Sequence, residues 1–249
     1  MWARRSSRLH RGRNNVQLSV MVTRVSQRLN EAGTPVYYPK AELVAALNEA
    51  QRYFVLLTLG LENSISWTPE ATFTHMLSVA SDWICPLRIT DSTGAKVRPA
   101  TLAELAALNP SWISSDTAIT RYLSLGADFI GVYGQSFAAL TVTYVQAPAA
   151  LVDDTDVPAI PAEYHAALVS YAIYRCRMVE GAQEFSKTIP YHDRFMDAAK
   201  QYAGFVRSRN KGARYDKCPP EDEFFDRSKL AGTMPVNLLP QGDGTVTPQ

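Results

Sequence analysis

The sequence predicts an α+β fold: a four-helix core of two helical pairs, interrupted by a β-rich insertion and flanked by extended N- and C-terminal segments. Three observations predict it. Apolar residues recur at helical spacing on both sides of residues 61–150. Inside that stretch the pattern becomes short β-branched and aromatic runs broken by turn residues. Beyond about residue 211 regular pattern is lost. The chain divides accordingly into a basic arm (1–15), a first helical pair (16–60), the insertion (61–150), a second helical pair (151–210) and a C-terminal tail (211–249).

The arm is rich in Arg, Ser and Asn and too poor in apolar residues to order itself. A first helix is expected over 16–32, with Leu18, Met21 or Val22, Val25 and Leu29 on one face and Gly33 as its stop. A second follows over 40–59, where Leu43, Leu47, Ala50, Phe54 and Leu57 line up; Gly60 is expected to end it. Asn48, Glu49 and Arg52 fall on its wet side. The insertion should hold strands at Ala71–Leu77, Trp83–Thr90, Lys96–Arg98, Arg121–Leu125, Phe129–Tyr133 and Leu140–Val145, the last being the strongest. Asp91-Ser92-Thr93-Gly94 is a turn signal, and Thr101-Leu102-Ala103-Glu104 matches a capping box that opens a short helix, Leu102–Leu108.

The third core helix has the clearest start. Pro161 occupies a first-turn position, where its missing N–H costs nothing, and Glu163 suits the helix dipole. Tyr164, Leu168 and Cys176 recur along its apolar face. The fourth is expected over 187–209, with Phe195, Ala199, Tyr202 and Val206 on one face and Pro190 in its first turn or just before it. The predicted helical core therefore includes Leu43, Leu47, Phe54, Tyr164, Leu168, Cys176, Phe195 and Tyr202.

The net charge of +1 points to no partner, but its distribution is uneven. Residues 1–30 carry seven arginines and no acid. Lys200 to Lys217 is a second basic run, opposed only by Asp216. Arg4, Arg5, Arg8, Arg11 and Arg13 form either an arm for DNA or an acidic partner, or a merely solvated terminus. No run is apolar enough to span a membrane, and the N-terminal region lacks the apolar segment of a signal peptide.

No catalytic signature stands out. His10, His75, His165 and His192 are scattered, and Cys85, Cys176 and Cys218 have neither zinc nor disulfide spacing, so no metal, cofactor or catalytic residue is expected. His165 lacks a nucleophile elbow to serve, and packing explains it better than catalysis. Paired acids such as Asp153 and Asp154 lie in a proline-bounded connector, where solvation is the ordinary reading. The tail carries apolar anchors, Phe224, Phe225, Leu230, Met234, Val236, Leu238 and Leu239, of the kind that find another subunit.

Three stretches carry a family resemblance: Leu43-Val44-Ala45-Ala46-Leu47-Asn48-Glu49-Ala50-Gln51-Arg52-Tyr53-Phe54; Pro86-Leu87-Arg88-Ile89-Thr90-Asp91 through Leu102-Ala103-Glu104-Leu105 to Pro110-Ser111-Trp112; and Ile160-Pro161-Ala162-Glu163-Tyr164-His165 through Leu168-Val169 to Tyr171-Ala172. Over roughly residues 17–210 the chain resembles head–tail adaptor (head completion, or connector) proteins of tailed bacteriophages, of the short-tailed type. The resemblance implies a structural virion protein at the neck. It implies a homo-oligomeric ring, commonly of twelve copies, between a portal protein and a tail or nozzle protein, extending the DNA channel. It further implies that the tail residues named above grip the portal. The arm lies outside the resemblance. Alternative readings are a non-specific nucleic-acid-binding module using the arm, with contact to packaged DNA, and a virion-associated cell-wall hydrolase. Only isolated carboxylates and His165 motivate the hydrolase.

Overall fold

The computed structural model describes residues 16–30, 37–67, 76–78, 80–112, 119–125, 129–134, 139–179, 185–210, 216–221 and 225. Along them run α1 (Leu18–Arg28), α2 (Lys40–Thr58), β1 (Glu62–Trp67), β2 (Met76–Ser78), β3 (Trp83–Thr90), β4 (Lys96–Pro99), α3 (Leu102–Leu108), β5 (Arg121–Leu125), β6 (Phe129–Tyr133), β7 (Leu140–Gln146), α4 (His165–Val179) and α5 (Phe185–Asn210). The fold is mixed α+β.

Helical spacing decides what α1 and α2 bury. Leu18, Met21 and Val25 lie on one stripe of α1 and are fully buried. On α2 the same holds for Leu43, Leu47, Ala50 and Phe54. They share one apolar cluster with Leu168, Ala172 and Cys176 of α4, with Phe195 and Ala199 of α5, and with Leu87 and Val145 of the sheet. Tyr164 and Tyr202 are half-buried against this cluster. Phe54 stacks on Tyr202 at 5.8 Å, and Tyr164 meets Tyr202 at 5.0 Å, so aromatic contacts join α2 and α5 to the start of α4.

The helix ends differ from expectation for a packing reason. α1 stops at Arg28, and Asn30, at φ 60°, supplies the left-handed residue; Gly33 lies outside the described residues. After α2 the left-handed residue is Leu59, at φ 49°, not Gly60. Gly60 instead leaves room: a Cβ there would overlap the Tyr202 ring, whose hydroxyl donates to the Gly60 carbonyl at 3.3 Å. α5 begins at Phe185, so Pro190 lies inside the helix, past its first turn. There the proline lacks the N–H that would reach the previous turn, yet the helix continues.

The sheet has strand order β1-β7-β3-β4-β5-β6-β2, antiparallel throughout except for the parallel pair β4–β5. β1 is a strand that sequence pattern missed, and β2 begins at Met76, while residues 71–75 of the expected first strand lie outside the described residues. β7 alternates as a two-faced strand must. Leu140 and Val142 face a sheet cluster with Ile89, Val97, Tyr122, Ile130 and Val132, while Val145 faces the helices, so β7 links the two clusters. α3 packs near β5, where Leu105, Trp112 and Leu123 form a third small cluster. Its capping box is complete: Thr101 and Glu104 each accept the other's backbone N–H.

The connector at 147–160 is laced to α2. Asn48 exchanges two hydrogen bonds with the Leu151 backbone, at 3.0 and 2.7 Å. Gln51, 1% exposed, donates to the Ala149 carbonyl and accepts from the Ala159 N–H. Asp154 and Asp156 present backbone carbonyls to the N–H groups of Ser19 and Leu18, satisfying donors at the start of α1 that the Gln17 side chain does not cap. The acidic connector is therefore a structural brace.

Candidate functional site

Two features of the described surface could meet a partner: a clasp where the chain leaves α5, and a basic groove among α1, α4 and α5.

The clasp explains an awkward strand. Pro86 lies within β3, where it can donate nothing to a ladder. β4 pairs with β3 only at Ile89 and Thr90, so the stretch around Pro86 and Leu87 has an open edge on that side. Asp216 covers it, its N–H donating to the Leu87 carbonyl at 2.7 Å. The Asp216 carboxylate, 5% exposed, pairs with Lys96 at 2.6 Å and accepts from the Tyr122 hydroxyl at 2.8 Å. Burial, then that hydrogen bond, push the Tyr122 hydroxyl far above the ordinary tyrosine range. Arg207 of α5 holds the Pro220 carbonyl, Pro219 is buried, and Phe225 packs against the helical cluster. One segment thus ties the last helix to β3, β4 and β5.

The groove has a volume of about 460 Å³. Arg24, Gln27 and Arg28 form one wall from α1, Tyr191 and Arg194 the other from α5, and Ala166, Val169, Ser170 and Ile173 of α4 the floor. Helical spacing explains the wall on α1: Arg24, Gln27 and Arg28, at i, i+3 and i+4, share one exposed flank of the helix beside its buried stripe. Arg177 and Arg194 both stand over the Tyr191 ring, each 5.6 Å from its centre. Arg177 also donates to the Arg28 carbonyl at 3.0 Å, answering an orphan acceptor at the C-terminus of α1.

His165 sits nearby but is a packing residue. It is 1% exposed, and one ring nitrogen meets the Ile160 carbonyl at 2.9 Å. Its Nδ1 is buried without a hydrogen-bond partner among the described residues. Burial first, and the Arg24 charge in addition, hold its pKa below the ordinary histidine value. Among the described residues no group of His, Cys, Asp or Glu could hold a metal ion, and no helix is long and apolar enough to cross a membrane. Cys85, Cys176 and Cys218 are unbridged.

Of the tail residues expected to grip a partner, only Phe225 is described, and it contacts this chain's own core. Phe224, Leu230, Met234, Val236, Leu238 and Leu239 lie outside the described residues, as do Arg4, Arg5, Arg8, Arg11 and Arg13. Of the residues expected in the helical core, Leu43, Leu47, Phe54, Leu168, Cys176 and Phe195 are buried, and Tyr164 and Tyr202 half-buried. Asp216 and Tyr122 escaped sequence reasoning. The one usable signal was that Asp216 is the lone acid in a basic run.

A family model described as the SU10 adaptor protein matches residues 16–216. The chain belongs to the SU10 adaptor protein family. It is accordingly a phage structural adaptor and a virion component. No curated protein matches the chain. The match ends on Asp216, whose carboxylate holds the clasp to Lys96 and Tyr122. In this SU10 adaptor, the Leu47-Asn48-Glu49-Ala50-Gln51 stretch has a physical role beyond family texture. Asn48 and Gln51 hold the connector, and Glu49 accepts from the Tyr171 hydroxyl at 2.8 Å and from Arg175 at 3.2 Å, joining α2 to α4.

Proposed function

We propose that the chain forms an adaptor ring, of twelve copies, at the neck of a short-tailed phage virion. The ring sits between the portal protein and the tail or nozzle protein and extends the DNA channel. The four long helices make the body of each subunit, the β-rich insertion presents a docking surface, and the segment beyond Phe225, which itself packs on the helical cluster, reaches the portal through Leu230, Met234, Val236, Leu238 and Leu239. The observation that carries this reading is the family match over 16–216, which stops at the first residue of the clasp, ahead of the apolar tail. Closed rings need a heterologous interface that rotation completes, and a tail that orders on binding lets a subunit wrap its neighbour.

The clasp suggests where to cut. A chain ending at Phe225 keeps Asp216, Pro219 and Phe225, and with them the contacts that stitch the body. The expected outcome is a folded protein that no longer co-purifies with the portal, while the full chain does so as a ring by light scattering. A truncated chain that still assembles fully on the portal would overturn the role of the tail, and a full chain that stays monomeric on the portal would overturn the ring.

A further inference from the structure

We infer that the groove among α1, α4 and α5 binds the phosphodiester backbone of double-stranded DNA. Among the described residues its cations are all arginine: Arg24 and Arg28 on one wall, Arg194 on the other, and Arg177 beside Arg194 on the same tyrosine. No carboxylate is among the described residues that line it. Arginine presents a planar fork of donors that matches phosphate oxygens in pairs, where lysine offers a point charge.

Two of the guanidinium groups are already oriented. Tyr191 lies beneath both Arg177 and Arg194, and Arg177 is further fixed by the Arg28 carbonyl. Orienting them in the unbound protein lowers the ordering cost that a ligand would otherwise meet. The floor suits an elongated ligand. Ala166 and Ser170 are the accessible α4 residues there, and Val169 and Ile173 are buried, so no long side chain among these four rises between the walls. Ser170 donates its hydroxyl proton to the Ala166 carbonyl, and Gln27 adds an uncharged donor on the wall.

DNA fits these features better than an acidic peptide does. A peptide groove draws specificity from deep apolar pockets, whereas this one is small-floored and walled by arginine. The cationic character also continues in sequence: residues 1–30 hold seven arginines and no acid, and the last two of them, Arg24 and Arg28, are in the wall. Contact of this kind reads no bases. It follows charge alone and weakens steeply with salt. The inference does not depend on ring formation, because every residue of the groove comes from one subunit.

The test uses the full chain and a fluorescent duplex of about two helical turns, with anisotropy followed across a salt series. Retention at low salt is expected, with log K falling linearly against log salt. Replacing Arg24, Arg28 and Arg194 with alanine should reduce that slope by roughly 0.9 for each phosphate no longer neutralised, with a circular-dichroism spectrum like that of the parent. If the triple variant fails to fold, Arg24→Gln and Arg28→Gln singly, at exposed positions of α1, should each lower the slope by about 0.9. Replacing Arg4, Arg5, Arg8, Arg11 and Arg13 with alanine separates the groove from the arm, and residual salt-dependent binding is expected. No binding at low salt, an unchanged slope in a folded groove variant, or complete loss with the arm variant alone would each overturn the inference. So would capture of poly-glutamate with no capture of DNA, which would make the groove a site for an acidic protein segment.

Discussion

At the scale of single residues, His165 shows how burial turns a candidate catalyst into a structural part. Its ring bridges to Ile160 across the start of α4, and protonation would place a charge on a buried Nδ1 that has no partner among the described residues, near Arg24. The pKa in the folded protein lies below that of the unfolded chain, so the unfolded state binds the proton more readily. Stability contributed by neutral His165 is therefore present above about pH 6.5 and lost as pH falls toward the folded-state value. Urea midpoints measured between pH 7.5 and pH 5 should fall more in the parent than in His165→Gln; equal falls would show that His165 does not govern this range. Gly60 is the same kind of case. Its sequence signal, a glycine after a helix, points to a turn, but its necessity comes from the Tyr202 ring against its α-carbon.

At the scale of elements, α3 was the most legible, and its boundaries match the capping box and the Asn109-Pro110 stop. What pattern could not supply was which side it buries. Leu105 is fully buried, whereas Leu102 and Leu108 are 56% and 57% exposed. Leu105→Ala should cost about 2–4 kcal/mol in urea unfolding, because it empties the contact with Trp112 and Leu123. Leu102→Ala and Leu108→Ala should stay within about 0.5 kcal/mol in the isolated chain. A large loss from either exposed leucine would mean that α3 packs through another face. β1 was missed for an opposite reason. Glu62-Asn63-Ser64-Ile65-Ser66-Trp67 has little β-propensity of its own and is a strand because β7 offers it a partner edge.

At the scale of the whole molecule, Asp216 joins distant parts. It lies more than ninety residues after Tyr122 and more still after Lys96, yet both meet its carboxylate. Asp216→Ala leaves the buried Tyr122 hydroxyl without that acceptor and Lys96 without that carboxylate. The expected cost is on the order of 2–4 kcal/mol by denaturant unfolding. Combined with Tyr122→Phe, the loss should be less than additive, since both changes remove the same bond. Full additivity would show that the clasp does not act as a unit. The same segment leads into the residues proposed to reach the portal, so a weakened clasp should also loosen the launch point of the tail.

Local chemistry was enough to mark α1, α2, α4 and α5, the short capped helix, most of the strands and the charge asymmetry of the first thirty residues. Those features depend on spacing of 3.6 or 2 residues, on capping groups and on composition, all of which are written within a few neighbouring positions. The arginines of α1 were visible in this way. That they would share a groove with Arg177 and Arg194 was not, because those residues come from helices more than a hundred positions away. Nor was the lacing of Asn48 and Gln51 to the connector, which put two polar residues of α2 to use inside the structure. Long-range packing decides which polar side chains find partners across the chain, and both the clasp and the groove are products of that pairing.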